Sequence, residues 1–172
     1  MPATRVLLIG MMGAGKSTVG RSLSHRLGCP YFDSDAQVQQ RTGRTVPEIF
    51  ATQGEAAFRA EEKRALAEAV AGDGPVVVSV AGGAVLDPDN RRLLGRSGLV
   101  VWLRADVTTL AARVGSGDGR PLLGDDPAAS LSRLDEQRGP LYAELADVVV
   151  DVDAMTPDEA VDFILEQVSC RG

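Results

Sequence analysis

Apolar residues in this chain fall into short continuous runs, separated by longer stretches with helical spacing. "RVLLIG", Arg5 to Gly10, is apolar from Val6 to Ile9 and closed by glycine, the pattern of a strand covered on both faces. Beyond the loop "MMGAG", Val19, Leu23 and Leu27 predict a helix from about Lys16 to Leu27, stopped by Gly28. "PYFDSD" fits a second strand ending in acids, "AQVQQRTG" a helix ending at Gly43, and "TVPEIFATQG" a short helix with Val46, Ile49 and Phe50 on one side. "GEAAFRAEEKRALAEAV" favours helix throughout. Val76 to Val80 and Gly98 to Leu103 predict the third and fourth strands, and "ADVTTLAARV" another helix. "GSGDGRPLLGDD" breaks every periodicity and reads as an exposed, mobile loop. "AASLSRLDEQRGPLYAELA" reads as helix broken near Gly139-Pro140, and "DVVVDV" as a fifth strand. The last helix declares its own start, with Thr156 and Glu159 spaced as a capping box and Pro157 at the first helical position. Strands alternating with helices point to an α/β domain with a mostly parallel sheet.

One stretch of this pattern loses its side chains. "VVVSVAGGAV", Val76 to Val85, reads as a buried strand for five residues, and then Ala81-Gly82-Gly83 withdraws all bulk. Glycine in such a place marks a close approach to the backbone.

At 172 residues the chain has the size of one domain that buries a core without disulfides or metals. A formal net charge of −6, with no lysine-arginine run, leaves no broad basic surface for nucleic acid. No run approaches the roughly 20 apolar residues of a spanning helix. The N-terminal apolar run passes at once into glycines and a lysine, not a signal segment, so a cytoplasmic location and no membrane partner are expected. Cys29 and Cys170 lie far apart without CxxC partners, giving no support for a disulfide framework or zinc. The single histidine, His25, excludes zinc held by several histidines and reads as a helix-surface residue.

Candidate chemistry begins at "GMMGAGKS", Gly10 to Ser17, which matches G-x-x-x-x-G-K-[ST] directly after a buried strand and at the opening of a helix. Such a loop turns backbone N–H groups around phosphates, and the helix start adds its positive end. Lys16 can reach the β- and γ-phosphates, and the Ser17 hydroxyl is placed for Mg²⁺. In "FDSD", alternation along an extended segment puts Asp33 and Asp35 on one face at the edge where a parallel sheet binds ligands. A plain structural alternative makes Asp35 a helix N-cap. Arg59, Arg120 and Arg138 each read singly as surface charges, but an acidic protein that binds anions must bring cations to them.

Taken in order, "GMMGAGKSTVGRSLSHRLG", "FDSD", "TGRTVPEIFATQGEAAFRAEE", "SVAGGAV", "GRPLL" and "QRGPLY" resemble the shikimate kinases over nearly the whole chain. The resemblance implies one kinase domain, 1–172, of the P-loop NTPase type: a three-layer α/β fold with a five-stranded parallel sheet in order 2-3-1-4-5 and flanking helices. It implies a phosphate loop at 10–18, a helical substrate-binding region at about 34–62 and a mobile lid at about 114–127. The implied activity is transfer of phosphate from ATP, with Mg²⁺, to the 3-hydroxyl of shikimate, a step of aromatic amino-acid biosynthesis. The partners are then small molecules, and a monomer is expected.

Carried over by position, the resemblance has Gly13, Ala14, Gly15, Lys16, Ser17 and Thr18 cradle ATP, with Ser17 on Mg²⁺ and Asp33 near it through water. Asp35 would accept hydrogen bonds from the ring hydroxyls and the proton of the attacking one. Arg59, oriented by Glu62, and Arg138 would grip the substrate carboxylate, Phe58 would wall the ring, and Gly82 and Gly83 would offer it their backbone. Arg120 would close over the phosphates, Ser79 would stand by the metal water, and Arg113 is a candidate to stack on adenine. Lys16, Asp35 and Arg120 are thereby the catalytic candidates.

Two departures bear on substrate and nucleotide. Ala81 stands where the family pattern usually has glycine, and "DVDAMTP" lacks a basic residue that some members place near adenine. Ala81 keeps open a kinase for aminoshikimate or another cyclitol. A non-catalytic nucleotide-binding paralogue would be expected to lose Lys16, Ser17, Asp35 or the lid arginine, and none is lost.

Overall fold

Five short strands run parallel in the order β2-β3-β1-β4-β5. They are β1 (Arg5–Ile9), β2 (Tyr31–Asp33), β3 (Val76–Ser79), β4 (Leu99–Arg104) and β5 (Val148–Asp151). The computed structural model describes residues 4–115 and 120–171. Sheet order, the parallel sense and the strand positions agree with the expectations from the sequence. β1 lies at the centre, in register with β3 (Leu8 opposite Ser79) and β4 (Leu8 opposite Val101). Val6, Leu7 and Leu8 have no exposed surface, which is why this strand carries no alternation.

Eight helices flank the sheet among the described residues: α1 (Lys16–Leu27), α2 (Ser34–Thr42), α3 (Val46–Gln53), α4 (Glu55–Ala69), α5 (Pro88–Ser97), α6 (Val107–Val114), α7 (Pro127–Leu145) and α8 (Pro157–Cys170). Valine and leucine from β1, β3, β4 and β5 and from α1, α4, α6, α7 and α8 form the main core, with Tyr31 and Phe32 of β2 packed against it. A second cluster of Val38, Ile49, Phe58 and Ala65 joins α2, α3 and α4 into a side lobe. Gly28 and Gly43 stop α1 and α2 in the left-handed conformation, and the Thr156–Glu159 capping box forms at the start of α8.

Three elements differ from the sequence reading. α5 has no counterpart in it, although Asp87 caps the helix and Pro88 fills its first turn. α7 runs unbroken through Gly139-Pro140. Proline removes the bond to the Glu136 carbonyl, but both Glu136 and Pro140 are exposed, so the loss falls where water can serve that carbonyl. The glycine-rich segment is not exposed throughout, because Leu123 is fully buried and its carbonyl accepts from Ser130 Oγ at 2.6 Å. Residues 116–119 of the expected lid lie outside the described residues. No helix among the described residues is long and apolar enough to cross a membrane.

Gly20 is where α1 presses closest to the sheet. A Cβ there would lie 2.6 Å from the Tyr31 ring and 3.0 Å from Ser79 Oγ. Gly20→Ala is expected to lower unfolding free energy in urea by about 1–2 kcal/mol, overpacking outweighing the better helix propensity of alanine. A stabilised variant would show that the contact yields without cost.

Candidate active site

At the carboxyl ends of the strands the sheet opens onto a cavity of about 790 Å³. Gly13, Ala14, Gly15, Lys16, Ser17 and Thr18 line it, as do Asp33, Asp35, Arg59, Gly82, Gly83, Arg113, Arg120 and Arg138. The fold thus brings every residue singled out from the sequence to one chamber. Its walls carry five basic side chains (Lys16, Arg59, Arg113, Arg120, Arg138) against three acidic ones (Asp33, Asp35, Glu62). In a protein of net charge −6 the chamber has an excess of cations, as anionic ligands require. His25, in contrast, is exposed on the last turn of α1, and Cys29 and Cys170 are free thiols.

One wall is the phosphate loop. Gly13 and Gly15 have φ of +83° and +93°, where a Cβ is strained, so the turn needs glycine at both. The first turn of α1 holds no acidic residue of its own, and no side chain caps the helix. Lys16 Nζ donates to the Gly10 carbonyl at 2.7 Å and the Met11 carbonyl at 3.0 Å. Burial lowers its pKa to about 8, with Asp35 and Asp33 pulling the other way. Arg113, exposed on α6, donates to the Gly13 carbonyl at 3.1 Å. Arg120 lines the same chamber.

The second wall is the corner between β2 and α2. α2 begins at Ser34, so Asp35 is helical, and strand alternation does not explain how the two acids meet. Asp33 itself is the N-cap, its Oδ1 accepting from the Asp35 and Ala36 amides at 3.0 and 3.1 Å. That leaves Asp33 Oδ2 to accept from Ser17 Oγ at 3.1 Å. Hydroxyl and carboxylate oxygen side by side form a hard-donor pair. Such a pair suits an ion that keeps water and takes its other oxygens from phosphate, as Mg²⁺ does, and no group of three His, Cys, Asp or Glu among the described residues offers a full cage. Enclosure by the walls raises the Asp35 pKa, and Asp33 adds to this, against Lys16, Arg59 and Arg120. Asp35 still faces the open chamber, where water tempers the shift.

The third wall answers what approaches the bare backbone after β3. A Cβ on Gly83 would lie 2.4 Å from both terminal nitrogens of Arg59, and one on Gly82 would lie 3.1 Å from Arg138 Nη1. Two guanidinium groups occupy the room that side chains would take. Arg59 Nη1 contacts both Glu62 oxygens at 2.9 Å, and Phe58 packs beside the guanidinium. Glu62 is only 1% exposed, and burial pushes its pKa up to about 7 even against the pull of Arg59. Arg138 is equally buried, and its Nε has no partner among the described residues. Ala81 lines the chamber without strain, since no described non-glycine residue has positive φ.

Two positioning residues escape the sequence reading. Tyr142, fully buried one turn beyond Arg138, donates to the Gly82 carbonyl at 2.6 Å and holds the glycine turn against α7. Its spacing of four from Arg138 was the available signal. The Ser34 hydroxyl accepts from the Ala81 amide at 2.7 Å and ties α2 to the same turn; nothing in "FDSD" distinguishes it from a solvated serine.

The model of the shikimate kinase family matches residues 12–169. A shikimate kinase of Burkholderia pseudomallei (strain 1710b) is 43% identical over 172 residues, covering 99% of this chain and 93% of that protein. One from Halorhodospira halophila is 50% identical over 149 residues, covering 86% of this chain and 84% of that protein. The structure of shikimate kinase from Acinetobacter baumannii in complex with shikimate superposes with a TM-score of 0.93 at 34% identity, covering 98% of this chain and 94% of that one.

The lowered pKa of Lys16 has a calorimetric signature. At pH 9, a unit above this pKa, the amine of the free protein is mostly neutral, and a triphosphate beside it restores the charge. At pH 9, binding of a nucleoside triphosphate is expected to take up close to one proton, seen as a dependence of binding enthalpy on buffer ionisation. The uptake should be lost in Lys16→Met and small at pH 6.5. Equal enthalpies in all buffers at pH 9 would contradict the assignment.

Proposed function

The chain belongs to the shikimate kinase family, and from that premise we infer that it is an enzyme which transfers the γ-phosphoryl group of ATP to the 3-hydroxyl of shikimate, with Mg²⁺, yielding shikimate 3-phosphate and ADP. The observation that carries this is the facing of two anion sites across one chamber, the phosphate loop on one wall and a pair of arginines against a bare turn on another. Asp35 stands with both, subject to the fields of Lys16 and Arg59.

Phosphoryl transfer asks a protein mainly for position and charge neutralisation. In this reading the phosphate loop, Gly13 to Thr18, holds ATP through backbone N–H groups, and Lys16 swings from its own loop carbonyls to the transferring phosphate. Ser17 and Asp33 would hold Mg²⁺, which when bound neutralises phosphate charge. Arg59 and Arg138 grip the shikimate carboxylate. The unpaired Arg138 Nε supports that role, because a buried guanidinium N–H without a partner is costly until an anion arrives. Glu62 fixes Arg59, while Gly82 and Gly83 receive the ring. Asp35 accepts a hydrogen bond, and then the proton, from the attacking hydroxyl, a task that a raised pKa favours. Arg120 closes over the phosphates from the lid at about 114–127, and Arg113 packs on adenine. The substrate-binding region spans about 34–62 of a single kinase domain, 1–172. We further propose that the chain works as a monomer in the cytoplasm and does not bind nucleic acid, the last supported by its net charge of −6.

Purified protein with MgATP and a panel of shikimate, aminoshikimate and cyclitols is expected to form ADP and phosphorylated product fastest with shikimate. Preference for a relative would trace to Ala81, and absence of any product at millimolar shikimate would overturn the function. Within the site, Arg138→Ala should raise KM for shikimate about 100-fold, the loss of two charge-assisted hydrogen bonds, with KM for ATP little changed. Arg120→Ala should instead lower kcat by about 100-fold or more, since its partner charge grows during transfer. Equal weakening of both substrates in Arg138→Ala would remove Arg138 from the carboxylate site.

A further inference from the structure

We propose that Tyr31 is a positioning residue for the metal-nucleotide half of this site, acting through Ser79; the inference rests on the assignment of Mg²⁺ to Ser17 and Asp33. Tyr31 stands on β2, half-buried, where the sequence reads as one more apolar strand residue. Its hydroxyl lies 2.8 Å from Ser79 Oγ and 3.5 Å from Asp33 Oδ2, the same oxygen that accepts from Ser17. Ser79 Oγ is 3.0 Å from the Lys16 carbonyl.

Proton counting orients the chain. A carbonyl only accepts, so Ser79 gives its one proton to Lys16 and must accept at its remaining positions. Tyr31 supplies the phenol proton to one of them. Ser79, 3% exposed and lining the chamber, therefore faces the phosphates as an acceptor with no proton to give. An acceptor in that place suits the polarised protons of water on Mg²⁺, while a donor would oppose them. The phenol oxygen only borders Asp33 Oδ2, at 3.5 Å, because its single proton goes to Ser79.

The ring is held independently of the hydroxyl. α1 carries glycine at position 20 because the Tyr31 ring occupies the place of a Cβ, and Arg21 lies 5.8 Å above the ring centroid. Phenylalanine would fill the same space, so packing and hydrogen bonding separate cleanly.

The test compares ADP binding by calorimetry with saturating Mg²⁺ and with EDTA; the ratio of affinities is the gain from metal. Tyr31→Phe is expected to cut that gain by up to about tenfold, the worth of one hydrogen bond. Metal-free ADP affinity and shikimate affinity should stay within about twofold of wild type, a margin far below the value of one such bond. Ser79→Ala should show a comparable loss, and the double variant no more than Ser79→Ala alone. If Tyr31→Phe keeps the gain while Ser17→Ala loses it, Tyr31 has no such role and the metal assignment stands. If Ser17→Ala keeps it too, the metal assignment falls with the inference. Equal loss of ADP affinity with and without metal would show a merely structural tyrosine and would also overturn it.

Discussion

The packing of Arg59 and Arg138 against the bare backbone of Gly82 and Gly83 is the contact on which the acceptor half of the chamber depends. Two cations set this close need compensation, and the fold supplies it unequally. Arg59 has Glu62, buried and bidentate, with Glu55 behind it. Arg138 lies in the middle of α7, makes no salt bridge among the described residues and leaves its Nε unpaired there, which in the proposed function is where a ligand's charge enters. Tyr142, from the same helix, closes the arrangement by holding the Gly82 carbonyl, while its ring packs beside Trp102 with centroids 5.7 Å apart. A side chain on either glycine would compete with an arginine for space.

The donor half meets this contact at Gly10. Its carbonyl accepts from Lys16 Nζ, and it lies 3.3 Å from where a Gly82 Cβ would stand. The end of β1, Lys16 and the glycine turn after β3 thus lie side by side, carried by two adjacent strands of one sheet. Rigid strands and short contacts hold the two anion sites at a fixed separation, which phosphoryl transfer needs. Arg120 alone among the proposed catalytic groups comes from an irregular segment, and the buried Leu123 anchors that segment close behind it.

Much of this was legible in the chain. β1 announces itself by a run without alternation, the phosphate loop by its spacing, and α1, α2 and α8 by their glycine stops and capping box. The illegible parts share a physical cause: their signal lies in tertiary contact. Pro140 should end a helix by local rules, but α7 continues because the unpaired carbonyl is on an exposed face and Arg138 and Tyr142 are buried on the other side. Asp35 looked like a strand residue because the N-capping of α2 by Asp33 depends on a turn that alternation does not show. Ser34, Tyr31 and Tyr142 act through partners far away in sequence. The glycines of "AGGAV" were visible as an absence, but the arginines that fill it come from α4 and α7.

If the turn is bare because Arg59 must lie against it, a single methyl group should disturb one substrate and not the other. Gly83→Ala puts that methyl 2.4 Å from the Arg59 guanidinium, a flexible end that can move aside without unfolding the protein. Direct titration of this variant is predicted to show shikimate affinity lowered at least about tenfold, the worth of a displaced charge-assisted bond, with MgATP affinity and melting temperature near wild type. Unchanged shikimate affinity in a folded Gly83→Ala protein would contradict the account.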